Sequence, residues 1–237
     1  MRIRLRGSML KVLTAADVLS ILNAIFGLLA MLAVVAGSLV WGFALILLAL
    51  LADGLDGVVA RRFGGGQVGE YLEAMADLVS LTIAPLVFVF AVYQRQVLWS
   101  GWLVVLVGSM VFFLFCAATR LASFHLLKDE AVFVGLPASA GAILLISMGM
   151  LPEWFSPLVV PVVLVLLGVM KVSSVRFPKL TAVTAGVASV VILIALVLTL
   201  LGTMVGALLL LVMILVYILA GAFVARKKPV SMVSSEG

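Results

Sequence analysis

Apolar residues run in long stretches along this chain, separated by brief polar or Gly/Pro-containing breaks, and the lengths of the stretches predict its elements. Runs of about 17 to 25 residues, each long enough to cross ~30 Å of hydrocarbon as a helix, fall near 18–36, 39–61, 71–94, 99–124, 135–151, 156–172, 180–199 and 203–225. The pattern predicts an all-α integral membrane protein of about eight transmembrane helices. The period-two alternation that a transmembrane β-barrel requires is missing. Two runs are less regular than the others: 135–151 is short, and 156–172 is bounded by prolines. Residues 8–17 read as a short interfacial helix ahead of the first span.

Composition agrees with this class. The 237 residues are 66% hydrophobic and only 11% charged, with a mean hydropathy of +1.41, more apolar side chain than a soluble domain can bury. The basic start (Arg2, Arg4, Arg6, Lys11) runs into a full-length span without a small-residue cleavage site, so no cleaved signal peptide is expected. Cys116 is the single cysteine, which excludes an intramolecular disulfide and argues against a structural zinc site. The net charge of +5 suits anionic lipid, and with so many spans lipid is expected rather than nucleic acid.

Loop charges then orient the spans. With the N-terminus inside, the inner segments hold 14 of the 15 Lys and Arg residues, and Arg95 alone falls outside. The positive-inside rule therefore predicts a multi-pass protein of the cytoplasmic membrane with both termini on the cytoplasmic side. One membrane domain is expected over 1–226, followed by a short polar tail at 227–237.

Against this apolar background, the stretch Asp53–Asp77 (DGLDGVVARRFGGGQVGEYLEAMAD) is the exception, holding five of the ten acidic residues. Ionisable groups at membrane depth are costly and point to function. Asp53, Asp56, Gly57, Ala60 and Arg61 fall on one helical face, and Gly69, Glu73 and Asp77 fall on one face of the next helix. A short turn between them points four carboxylates into one space at the cytoplasmic ends of the second and third spans. Four carboxylates cannot all stay ionised together without cations between them, and hard divalent ions with oxygen ligands are the natural partners. A purely structural role, neutralising Arg61, Arg62, Arg120 or Arg176, needs neither two facing acidic stripes nor the small residues Gly57 and Ala60 beside them.

The motif Asp-x2-Asp-Gly-x2-Ala-Arg…Gly-x3-acid-x3-Asp resembles the signature of the CDP-alcohol phosphatidyltransferases, membrane enzymes that transfer a phosphatidyl-type group from a CDP-linked lipid to an alcohol and release CMP. Two departures stand out: Glu73 takes the place of an aspartate, and seven residues rather than eight separate Arg61 from Gly69. The resemblance implies a six-helix core at about 8–172, with two further helices at about 180–225. It implies two Mg2+ or Mn2+ ions on Asp53, Asp56, Glu73 and Asp77, with Asp77 as general base. Gly57, Ala60, Arg61 and Gly69 would contact the CDP-lipid, and the protein would be a homodimer.

LVSLTIAPL after Asp77, FVGLPASAGA at 133–142 and MKVSSVRFPKL at 170–180 look like the phosphatidylserine synthase branch, including its archaetidylserine synthases. Serine is then the expected acceptor, with Arg120 or Arg176 facing its carboxylate. Where that branch often reads Arg-Leu-Ala-Arg-Phe-Asn, this chain has Arg120-Leu121-Ala122-Ser123-Phe124-His125. Glycerol phosphate or inositol phosphate are the alternative acceptors, and would call for a tighter basic cluster. A divalent-cation transporter would need polar residues continuing to the outer face, and 39–50 and 83–92 offer none. Asp17 and Ser20 open the first span with an N-capping pattern, and Asn23 follows within it; the resemblance implies a minor role for this point near the nucleotide.

Overall fold

The computed structural model describes residues 13–63, 68–94, 96–97, 100–123, 132–178 and 181–227. Eight helices follow one another among the described residues: α1 (Ala15–Val35), α2 (Leu39–Phe63), α3 (Gly69–Tyr93), α4 (Ser100–Ser123), α5 (Ala138–Met150), α6 (Val159–Val172), α7 (Ala182–Leu200) and α8 (Val205–Lys227). Each end lies within three residues of the end expected from the apolar runs. The chain is a multi-pass membrane protein: α1, α2, α3, α4 and α7 contain stretches long and apolar enough to span a bilayer, while α5, α6 and the apolar part of α8 are shorter.

One expectation needs correcting at the N-terminal end. Thr14 is the N-cap of α1, and Asp17 closes a capping box by accepting from the Thr14 backbone N–H at 2.7 Å. Ala15 to Asp17 are thus the first turn of the first span and not the end of a separate interfacial helix; residues 8–12 lie outside the described residues. The tail at 228–237 also lies outside them.

The short helix α5 is the axis of the bundle. From Ala140 to Gly149 every residue is buried, so α5 presents no face to lipid and need not match the bilayer thickness. Around it pack Phe43 and Leu47 of α2, Phe88 and Val89 of α3, Phe113 of α4 and Leu164 of α6, all fully or almost fully buried. The Tyr93 hydroxyl donates to the Met148 carbonyl at 2.9 Å and ties the end of α3 to the end of α5. The outer faces of α1 and α7 expose Leu28, Leu32, Val183 and Val187, as expected where the solvent is hydrocarbon.

Two strands were not foreseen. β1 (Val132–Val134) and β2 (Arg176–Pro178) pair antiparallel, with Phe133 opposite Phe177. They join the segment leading into α5 to the segment leaving α6. Gly135 turns between β1 and α5 with a φ of +74°, and a Cβ there would meet the Lys171 carbonyl, so two constraints favour glycine. The ribbon leans on α8: the rings of Phe177 and Tyr217 stack at 5.9 Å, the Tyr217 hydroxyl donates to the Pro178 carbonyl at 3.2 Å, and Gly221 leaves room for the Phe177 ring.

Candidate active site

The acidic end of α2 and the start of α3 bring carboxylates together, as the spacing predicts. Oxygens of Asp53, Asp56 and Glu73 all lie within 4.8 Å of one another. Asp77, one turn after Glu73 on α3, adjoins Asp53. Asp56 is buried, Asp53 and Asp77 are half-buried and Glu73 is exposed, so the cluster is sealed on the bundle side and open at the end of the helices. Gly57 and Ala60 lie beside it on α2, both half-buried. The side chain of Arg61 lies outside the described residues, as do residues 64–67 of the glycine-rich turn. Three carboxylates from two consecutive helices are a hard-oxygen donor set, which a divalent cation fits.

Sequence reasoning missed how much of the site belongs to α1. The Ser20 hydroxyl donates to Asp56 Oδ2 at 2.6 Å. The Asn23 amide donates to Asp77 Oδ1 at 3.1 Å, and its own carbonyl accepts from the Ser80 hydroxyl at 2.6 Å. Asp17 is 1% exposed; its Oδ1 lacks a hydrogen-bond partner among the described residues and lies 3.0 Å from where a Cβ on Gly69 would sit, at the N-terminus of α3. Asp17 is therefore more than a cap, because its free oxygen meets the positive end of a second helix. The signal was present as a polar stripe, since Asp17, Ser20, Asn23 and Gly27 recur every three or four residues on an otherwise apolar helix.

Local geometry of α3 serves the same contacts. Directly after Asp77 the helix widens into a π turn over Leu78–Ile83 before resuming at Ala84. Pro85 has no N–H to give to the preceding turn and would crowd its carbonyl, and the wider turn accommodates it. Ser80 lies within this turn, fully buried, where its hydroxyl reaches both Asn23 and the Ala76 carbonyl. Gly27 on α1 lets Ser80 come close: a Cβ on Gly27 would stand 2.6 Å from the Ser80 Cα. π turns of this kind are frequent at functional sites.

The basic residues gather at the same end. Arg120 occupies the last turn of α4, half-buried, and its Nε is buried without a hydrogen-bond partner among the described residues. Arg176 is on β2, but its side chain lies outside the described residues, as does His125. Lys171, in the last turn of α6, is 2% exposed.

Fold and site together define a multi-pass helical membrane protein with a metal-type carboxylate cluster at one end of its bundle. The sequence profile describing CDP-alcohol phosphatidyltransferase matches residues 13–222, and the chain belongs to the CDP-alcohol phosphatidyltransferase family of enzymes. It is 34% identical over 173 residues to a CDP-diacylglycerol–serine O-phosphatidyltransferase from Methanocaldococcus jannaschii, covering 73% of this chain and 77% of that one. It is 31% identical over 176 residues to an archaetidylserine synthase from Methanothermobacter thermautotrophicus, covering 73% and 72%. A CDP-diacylglycerol–serine O-phosphatidyltransferase from Mycobacterium leprae is 37% identical over 114 residues, 44% of this chain and 36% of that protein.

Proposed function

We propose that this enzyme transfers a phosphatidyl-type group from a CDP-linked lipid, with diacylglycerol or archaeol tails, to the hydroxyl of L-serine. The observation that carries the reading is the convergence of Asp53, Asp56 and Glu73 within 4.8 Å, beside an Asp77 held by Asn23, in a chain of this family. The names of the two long-range relatives support serine as the acceptor.

Asp53, Asp56, Glu73 and Asp77 are the residues that would hold divalent cations, Mg2+ or Mn2+. Such ions, when bound, neutralise pyrophosphate oxygens and make the phosphorus more electrophilic. Gly57, Ala60 and Gly69 leave the helices bare where the nucleotide packs, and Arg61 supplies a charge-assisted contact to phosphate. Asp77 accepts the proton of the serine hydroxyl as that oxygen bonds to the lipid-bearing phosphorus and the bond to the CMP oxygen breaks. The Asn23 amide, donating to Asp77 Oδ1, orients the carboxylate for this role. Arg120 and Arg176 face the acceptor. The site lies on the cytoplasmic side of one membrane domain, and the protein works as a homodimer.

The test is CMP release from CDP-diacylglycerol and CDP-archaeol by purified protein, acceptor by acceptor, with and without chelator. Serine is expected to give the fastest turnover, and chelation to abolish it. Faster turnover with glycerol phosphate or inositol phosphate would overturn the acceptor assignment, and full activity in excess chelator would overturn the metal assignment. Direct attack also predicts sequential kinetics. Exchange of labelled CMP into CDP-lipid at turnover rates without acceptor would contradict it.

A further inference from the structure

A second cation lies buried at the acceptor end of this bundle, and the local fold holds it there. Lys171 is the last-turn residue of α6 that points inward, 2% exposed. An ammonium taken out of water is strongly disfavoured unless an anion or a dense set of hydrogen bonds meets it. What faces Lys171 Nζ among the described residues is the Phe113 ring of α4, its centroid 5.1 Å away, a weak substitute for lost hydration. Arg120 and Asp77 are the fixed charges whose fields reach it, with the Cys116 thiol alongside. Asp77 is engaged by Asn23 through one oxygen and adjoins Asp53 of the acidic cluster. Arg120 is a further cation, its own Nε buried without a hydrogen-bond partner among the described residues. Among the described residues, two cations beside one engaged carboxylate leave room in the charge balance for one more anion.

The backbone around Lys171 is built to keep this placement. Leu136 N–H donates to the Met170 carbonyl at 3.0 Å, and Gly135 N–H donates to the Val175 carbonyl at 2.9 Å, so the segment leading into α5 clasps the end of α6. Gly135 allows close approach to the Lys171 carbonyl. Gly141, one turn into α5, makes room for the side chain: a Cβ there would lie 3.3 Å from both Lys171 Cε and Nζ. A lysine needed only for surface charge would extend from the helix end to the interface.

We propose that Lys171, together with Arg120, binds the carboxylate of the acceptor amino acid while the acceptor's hydroxyl reaches Asp77. This rests on the serine reading above and adds a residue and a role to it. In serine, two carbons separate hydroxyl from carboxylate, so a carboxylate held between α4 and α6 presents its hydroxyl to the neighbouring α3. Recognition of the carboxylate in a buried, doubly cationic pocket makes the enzyme reject amino alcohols that lack it, since an unanswered buried cation is penalised.

The test uses full-length protein in proteoliposomes, with CMP release measured for L-serine and for serinol, which keeps the hydroxyl and amine but has no carboxylate. Lys171→Met removes the charge and keeps the length, and Lys171→Gln serves as a second variant; size-exclusion profiles in detergent establish that each is folded. The expected result is a KM for serine raised on the order of 10- to 100-fold, an unchanged KM for CDP-lipid, and unchanged slow turnover of serinol. The preference for serine over serinol then collapses. Equal loss on serine and serinol, or an unchanged KM for serine in a folded variant, overturns the proposal and leaves the transferase reading intact. Wild-type enzyme that releases CMP with a phosphorylated alcohol but not with serine overturns the acceptor reading itself, and this proposal with it.

Discussion

At the scale of single residues, the site depends on neighbours that carry no charge. Asn23 is fully buried, donates to Asp77 and is itself oriented by Ser80, so the carboxylate proposed as base has a defined direction. Asn23→Leu keeps the branching of the side chain and removes both bonds. A hydrogen bond to a charged group is worth about 1.5–3 kcal/mol, so kcat is expected to fall on the order of 10- to 100-fold with the KM for CDP-lipid little changed. Steady-state CMP release checks this; a rise in KM at constant kcat would show that Asn23 does not act through Asp77. Asp53→Asn and Asp56→Asn are expected to abolish transfer in protein that still elutes as folded, because each removes a charged donor from the cluster. Glu73→Asp should retain measurable activity, and complete loss would mean that the longer side chain is matched to this site.

At the scale of elements, close approach between helices sets the geometry. Gly27 of α1 lies against the backbone of Ser80 at the π turn. Gly27→Val therefore pushes α1 away from α3, at a cost of about 1–3 kcal/mol for overpacking, and separates Asn23 from Asp77 as well. Thermal unfolding in detergent and turnover should fall together. Gly221 of α8 plays the corresponding part for the ribbon, since any side chain there meets the Phe177 ring. Gly221→Leu is expected to lower the unfolding temperature and to raise the KM for serine, because the ribbon clasps the end of α6 that carries Lys171. Lower stability with an unchanged KM for serine would limit the ribbon to a structural role.

At the scale of the whole molecule, α7 and α8 are integrated rather than appended. α7 packs on α2, and α8 packs on α5 and on β2. The arrangement of basic loops predicts which side of the membrane the site faces. Cys116 is buried and is the only cysteine, so Cys116→Ala provides a clean background. In right-side-out vesicles, Gln96→Cys is expected to react with an impermeant maleimide and Ser234→Cys to be protected until the membrane is permeabilised. The reverse pattern would place the acidic cluster on the outer side and invert the topology.

How much of this was legible beforehand follows from the range of the forces involved. Helix count and limits are local consequences of run length, because a backbone in hydrocarbon must satisfy its hydrogen bonds within each segment. Asp53, Asp56, Glu73 and Asp77 were legible for the same reason: helical spacing puts them on facing stripes of two consecutive helices joined by a short turn. The contacts of Asn23 with Asp77 and of Ser20 with Asp56 span 54 and 36 residues, and no periodicity within α1 could say which helix its polar stripe would meet. The pairing of 132–134 with 176–178 was equally hidden, since three-residue strands carry no alternation pattern of their own. Lys171 shows the difference most clearly. In sequence it reads as one more positive charge at an inner helix end; the packing of α4, α5 and α6 around it turns that charge inward, because Gly141 and Gly135 leave space there that only the folded bundle encloses.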